Sequence, residues 1–322
     1  MNKRILSAAL AAMIVAGGLV TWTLGSAAGA GYNRVTMTGT SDSRYQRKQV
    51  DPIVNPGQPV SAHVHDEYCR IDFSSTMYAV PHSRPGFEAD PGDIPPSYST
   101  CRTYGDWPGW WVPNPLWNGV PLPPATLKTT WQAPDGTQVS VPPFGMAFVA
   151  GDSHATSEAT ISPNVRFTCG NIDGPLYTKP ADCSNVTGGV VTGQITFPDC
   201  WDGTTAFDIP AGIAQGHFGY SVNGACPLGM IPCKQMVPMA QAVLQFAYRK
   251  PDGTPMVNPY NADSTLGLSF SSGPWYTLHG DYLNTSSNTL ANIINACLNK
   301  LPYWTTNNRS SCPTNVNNVP IQ

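Results

Sequence analysis

Proline and glycine punctuate this chain so often that long helices are disfavoured nearly everywhere. There are 32 Pro and 30 Gly among 322 residues. Each proline removes a backbone donor, and a glycine inside a helix costs about 1 kcal/mol relative to alanine. Between these breaks, from about residue 50 to residue 280, short apolar runs alternate with Pro, Gly, Asn and Asp turns, which is the pattern of an all-β sandwich or barrel. The sequence predicts a mainly all-β protein, an antiparallel β-sandwich of jelly-roll-like type. It would form one domain with long Pro/Gly-rich loops and one short C-terminal helix.

Particular segments carry that expectation. Thr129–Gln132, the Asp135-Gly136 turn and Gln138–Val141 read as a hairpin. Met146–Ala150, Asn164–Thr168, Val190–Phe197, Ala242–Arg249 and Leu266–Phe270 read as further strands, with Ile195 and Phe197 sharing one face. Only Asn288–Leu298 has helical spacing, through Leu290, Ile293, Ile294 and Cys297, with Asn288 as N-cap.

The chain begins with Lys3 and Arg4, an uncharged run from Ile5 to Leu24, and small residues to Ala30. That is the layout of a secretory signal, with Ala-x-Ala-like sites at Ser26-Ala27-Ala28 and Ala28-Gly29-Ala30. Left uncleaved, the same run would be a membrane anchor. The expected organisation is therefore residues 1–30 as signal peptide or N-terminal anchor and 31–49 as a flexible lead-in. Residues 50–300 would form the domain and 301–322 a loose tail. The expected location is secreted or extracellular, with cell-surface anchoring as the alternative.

Nine cysteines in an exported chain read as a disulfide set, with eight able to pair. The neighbourhood of Cys226 and Cys233 suggests a local bridge closing a Pro/Gly loop. Net charge is −3 with no basic run outside the leader, which argues against a nucleic-acid partner. No phosphate-cradling loop is present, which argues against a nucleotide, and no nucleophile elbow or His-Glu-x-x-His helix occurs.

Charged residues are only 11% of the chain, yet four of its six histidines fall in three polar clusters. These are Ser61-Ala62-His63-Val64-His65-Asp66, Gly216-His217-Phe218-Gly219-Tyr220 and His279-Gly280-Asp281-Tyr282-Leu283-Asn284, and Asp199-Cys200-Trp201-Asp202-Gly203 adds two carboxylates. Two apart in an extended segment, His63 and His65 project together. Structural histidines, paired metal ligands and metal-free acid–base groups all fit that geometry.

Asp281 is placed to orient His279, or else to bond loop amides. Asp202 makes either a carboxylate of the site or a simple Asp-Gly turn, and Trp201 a sugar-stacking face. The candidate catalytic residues are His63, His65, His217, His279, Asp202 and Asp281, expected to meet in one constellation. Should a divalent metal be the cofactor, its ligands would be His63, His65, His217 and His279. Candidate ligand-binding residues are Trp201, Asn284, Asp152 and, from the aromatic stretch Tyr104–Trp117, Trp110 and Trp111, which fit a core equally well. His82 and His154 carry no partner motif and read as surface residues.

Taken in order, several of these segments resemble the exported bacterial and fungal domain DUF1996. They are Asp51-Pro52-Ile53-Val54, His63-Val64-His65, Ser99-Thr100-Cys101, Trp111-Val112-Pro113, Ala150-Gly151-Asp152, Phe197-Pro198-Asp199-Cys200-Trp201-Asp202-Gly203, His217-Phe218-Gly219-Tyr220, Cys226-Pro227 and His279-Gly280-Asp281-Tyr282-Leu283-Asn284. The resemblance covers about residues 50 to 300. It implies an extracellular location, sometimes beside carbohydrate-binding modules, and shared importance of the motif residues, but no activity. The chain departs from the family pattern at Gly216, at Thr204 and at Asp66-Glu67-Tyr68-Cys69, and Cys69, Cys233 and Cys312 look additional.

Two functions are compatible with these residues. One is a secreted enzyme acting on polysaccharide or cell-envelope glycan by hydrolysis or elimination, with His and Asp moving protons and stabilising charge. The alternative is a non-catalytic carbohydrate- or cell-wall-binding protein that holds sugar on its Trp-rich segment.

Overall fold

Side chains alternate across each strand, and two sheets result whose apolar faces can only be buried against one another. A computed structural model describes residues 32–38, 46–54, 58, 60–69, 109–134, 136–142, 146–203, 217–229, 235–284, 288–299, 315–316 and 319–320. The first sheet has the order β1 (Tyr32–Thr38), β7 (Thr126–Pro134), β14 (Gln241–Ala247), β10 (Thr192–Thr196) and β9 (Val165–Thr168). The second has the order β2 (Gln46–Lys48), β3 (His65–Cys69), β4 (Gly109–Pro113), β16 (His279–Leu283) and β8 (Ala147–Gly151). Both are antiparallel throughout and neither closes into a barrel.

Smaller sheets join β12 (Phe218–Gly219), β11 (Cys200–Trp201) and β13 (Val237–Pro238), and β15 (Leu268–Phe270), β5 (Pro115–Trp117) and β6 (Val120–Pro121). The one α-helix among the described residues, α1 (Asn288–Cys297), packs Leu290, Ile293, Ile294 and Cys297 into the core. The protein is an all-β sandwich with a short C-terminal helix.

The two five-stranded sheets meet through aromatic rings. Trp110 of β4 lies 6.0 Å from Trp131 of β7 and 5.4 Å from Phe197, Tyr68 of β3 lies 5.7 Å from Phe246 of β14, and Tyr282 of β16 lies 5.9 Å from Trp131. Each ring is fully buried, and burial of a large apolar side chain contributes roughly 1.5–3 kcal/mol. At the centre of this interface stands Gly280. A Cβ there would lie 2.9 Å from Ile195 Cδ1 and 3.3 Å from Phe197 Cζ. Ile195 and Phe197 do share the buried face, as their alternation predicts.

Several expectations are corrected. Residues 138–141 do not return as a hairpin on β7, whose two neighbours are β1 and β14, and Ser140 makes only a lone parallel bridge to Met239. β1 and β14 align with β7 along nearly its whole length, leaving no edge for the closer segment. The lead-in also contributes structure, because β1 pairs with β7 and β2 with β3. Within the expected loose tail, β17 (Asn315–Val316) pairs with β18 (Val319–Pro320).

Cys226 bridges Cys200, not Cys233, and a second bridge joins Cys169 to Cys183. The Cα atoms of Cys200 and Cys226 lie 5.6 Å apart, the spacing a disulfide requires. Cys69 and Cys297 each take part in a disulfide as well. This framework fits a secreted protein. No helix among the described residues is long and apolar enough to cross a membrane.

Gly280→Ala should lower stability by about 1–3 kcal/mol, because the added methyl overpacks the contact between the sheets. Chemical denaturation checks this, with a lower midpoint at unchanged slope as the expected result.

Candidate metal centre

The site lies on the outer face of the second sheet. Along β16, Gly280 and Tyr282 face the core between the sheets, so His279, Asp281 and Leu283 face outward. In register with Asp281 are Trp111 of β4 and Val149 of β8, and Trp111 is in turn opposite Glu67 of β3. Trp111, Leu283, Ala147 and Ile53 form a small apolar cluster of their own on this face. The segment that precedes β3 runs across it and supplies Val50, Asp51, Ile53 and His63.

Three imidazoles meet there. Ring centroids of His63 and His65 are 4.4 Å apart, those of His63 and His279 4.9 Å, and those of His65 and His279 5.9 Å. One ring nitrogen from each lies within 4.8 Å of the others. His63 sits in the bend before β3, and His65 opens the strand.

Backbone carbonyls fix two of the tautomers. His65 Nδ1 donates to the Val50 carbonyl at 2.9 Å and His279 Nδ1 to the Thr277 carbonyl at 2.9 Å. Each Nε2 is left with its lone pair directed into the cluster. His63 Nε2 is 3.1 Å from His279 Nε2 and donates the hydrogen between them. His65 Nε2 has no hydrogen-bond partner among the described residues.

Burial keeps all three rings neutral. It pulls His63 down to about 4, with His154 adding repulsion, and His279 down to about 3, with His63 adding repulsion. His65 is lowered well below the ordinary imidazole value for the same first reason.

Asp281 is fully buried, with Oδ2 3.8 Å from His279 Nε2. Neither of its oxygens has a hydrogen-bond partner among the described residues. Desolvation, with Asp51 nearby, raises its pKa well above the ordinary carboxylate value. Asp51 is also raised by burial, although the Val54 and Ile53 amides and the Trp111 indole oppose the shift. A cleft of about 300 Å³ reaches the cluster from solvent, bounded by Asp51, His63, His154, Ser271, Ser272 and His279.

The remaining candidates lie elsewhere. His217 does not join the other histidines; its Nδ1 bonds Asp202 Oδ2 at 2.5 Å beside the small β11–β12 sheet. The constellation thus has three histidines, not four, and the same correction applies to the metal-ligand set. Trp110 and Trp111 are both buried, one on each face of β4, which removes them as a stacking platform. Asn284 is buried and donates to the Pro142 carbonyl at 2.7 Å, a tie that holds the loop.

Asp152 is half exposed and accepts from the His154 amide, the turn-forming role. Trp201 is half-buried and packs against the main core. His154 is on the surface, as expected, but stands at the rim of the cleft. His82 and Trp107 lie outside the described residues. The residue that sequence reasoning missed is Asp51, which appears there only within the Asp51-Pro52-Ile53-Val54 motif and not among the candidate site residues. A carboxylate two residues before a buried isoleucine, in a chain so poor in charge, was the available signal.

The family model described as "Domain of unknown function (DUF1996)" matches residues 51–285, a span that opens with Asp51 and includes all three clustered histidines. No curated protein and no solved structure matches the chain.

Gly151 fixes the position of His279 across β8 and β16. Its φ is +100°, and a Cβ there would lie 2.6 Å from the His279 Cα and 2.6 Å from the Leu278 carbonyl oxygen. Gly151→Ala should therefore cost about 1–3 kcal/mol in chemical denaturation and displace the His279 ring signals in NMR. Gly136→Ala, where φ is +82° but the surrounding space is open, should carry only the smaller backbone cost.

Proposed function

Because the chain belongs to the DUF1996 family, whose description assigns no activity, we propose a function from the site itself: an exported protein that binds a transition-metal ion through His63, His65 and His279 and acts with it on an extracellular or cell-wall glycan. One observation carries the reading: three neutral imidazoles turn ring nitrogens toward a common point within 4.8 Å, and carbonyls set two of the tautomers. Metal-ligating histidines characteristically donate their other ring N–H to such a carbonyl. For His63 to join, its proton has to move from Nε2 to Nδ1, which removes the hydrogen now shared with His279.

Three nitrogen ligands suit a zinc-like divalent ion with a position left for water or substrate. His65 and His279 are buried and His63 is half-buried, so that position faces the cleft. An ion so placed supplies Lewis-acid activation of water or of a substrate oxygen. Ser153, Ser271 and Ser272 line the same cleft. Neutral hydroxyls of this kind favour a hydroxyl-rich polymer over a charged one. The alternative of a non-catalytic glycan-binding surface loses support, because its Trp110–Trp111 platform is buried, one ring on each face of β4.

Calorimetric titration of the protein with Zn²⁺, Mn²⁺ and Cu²⁺, together with its metal content on isolation, tests the reading. One ion per chain is expected, with affinity lowered at least about tenfold in His63→Ala. Absence of binding in the micromolar range would overturn it. For the polymer, glycans incubated with metal-loaded protein should release product that a chelator suppresses; no product from any envelope glycan would remove that part.

A further inference from the structure

We propose that Asp281 is the fourth protein ligand of this centre, so that the ion is held by three imidazoles and one carboxylate, with a fifth position toward the cleft left for water or substrate; the inference rests on the metal-binding reading above. The starting point is an oddity of charge. Asp281 is completely buried in the middle of β16, and among the described residues neither of its oxygens accepts a hydrogen bond. A buried carboxylate without a partner is strongly unfavourable, and proteins rarely keep one unless a cation or a proton answers it.

Among the described residues, nearby cations do not answer it. Arg47 is paired with Asp66, and Lys48 Nζ lies 3.2 Å from Glu67, which shares the outer face with Asp281. Neighbouring Asp51 worsens the imbalance, because it adds a second carboxyl close by. Two carboxylates and three neutral imidazoles are balanced by one divalent cation.

Geometry agrees with the charge. Donors bound at about 2.0–2.2 Å to one ion stand roughly 3.0–3.5 Å apart. The His63–His279 nitrogen separation is 3.1 Å, the His279–Asp281 separation is 3.8 Å and the three histidine nitrogens lie within 4.8 Å of one another, so side-chain movements of roughly 1 Å bring the set to a shared ion. Asp51 takes a different part: its Oδ1 already accepts from the Ile53 and Val54 amides, which anchors the segment carrying His63 over the sheet. Three imidazoles and a carboxylate suit borderline divalent ions such as Zn²⁺, Co²⁺ and Mn²⁺.

Asp281→Asn keeps the shape and removes the charge. Stripped of metal, this variant should melt at the same temperature as the unsubstituted protein or higher, because the carboxylate has no partner to lose. Its affinity for Zn²⁺ should fall at least about tenfold. The rise in melting temperature on adding Zn²⁺ should shrink accordingly, and the visible absorption of the Co²⁺ form should change in band position and intensity. Equal Zn²⁺ affinity and an unchanged Co²⁺ spectrum in Asp281→Asn, with binding still lost in His63→Ala, would overturn Asp281 as a ligand while leaving the three-histidine centre standing. A markedly lower melting temperature of the metal-free variant would assign Asp281 a structural role instead. Failure of the unsubstituted protein to take up Zn²⁺ or Co²⁺ would remove both readings.

Discussion

The close approach at Gly280 is the contact on which the rest of the molecule depends. With no side chain there, Ile195 and Phe197 of the opposite sheet come up against the β16 backbone and the aromatic rings close around them. Strand alternation then leaves no choice for the neighbours. If Gly280 and Tyr282 face the core, His279 and Asp281 face away from it. The face that carries the histidine cluster is thus a by-product of how the core packs, and the polar groups on it are set by the apolar groups behind it.

That outer face treats its two in-line carboxylates differently. Glu67 and Asp281 lie in the same cross-strand row on either side of Trp111, both inaccessible to solvent. Glu67 is matched by Lys48 from the adjoining strand. Among the described residues, Asp281 is matched by no side chain of opposite fixed charge, and its charge-bearing neighbours are an imidazole and another carboxyl. A sheet able to neutralise one carboxylate and not the other indicates that the difference is not a limit of the scaffold. Hydrogen-bonding resources are present close by and go elsewhere: the Val50 and Thr277 carbonyls hold histidines, and the Ile53 and Val54 amides hold Asp51.

Much of this was legible in the sequence, for local reasons. Proline and glycine spacing excluded long helices, and runs such as Gln194–Phe197 carried their alternation openly, so the class of fold and the strands β8, β9, β10, β14 and β15 could be read. His-x-His and His-Gly-Asp likewise fix side-chain direction within three residues, which is why His63, His65, His279 and Asp281 could be marked. Long-range pairing could not be read that way. Nothing near Thr129 says that its partners are residues 32–38 and 241–247, and nothing near Cys226 says that Cys200 is closer in space than Cys233. The two tryptophans of β4 illustrate the same limit: an adjacent pair in a strand faces both ways, and both faces happen to be covered. His217 failed to join because its cluster belongs to a different small sheet, a fact of topology with no local signature.

The histidines that meet are drawn from opposite ends of the domain, His63 and His279 being separated by 216 in sequence. In between, the chain lays down nearly every strand of both large sheets, and β16 is inserted last, between β4 and β8. A nascent chain therefore cannot assemble this cluster progressively. Its third histidine arrives only with β16, the last strand of the two large sheets to be synthesised. Occupancy of the cluster would then report complete folding, and fragments ending before residue 279 would be silent to the same probe however much of the sandwich they had built.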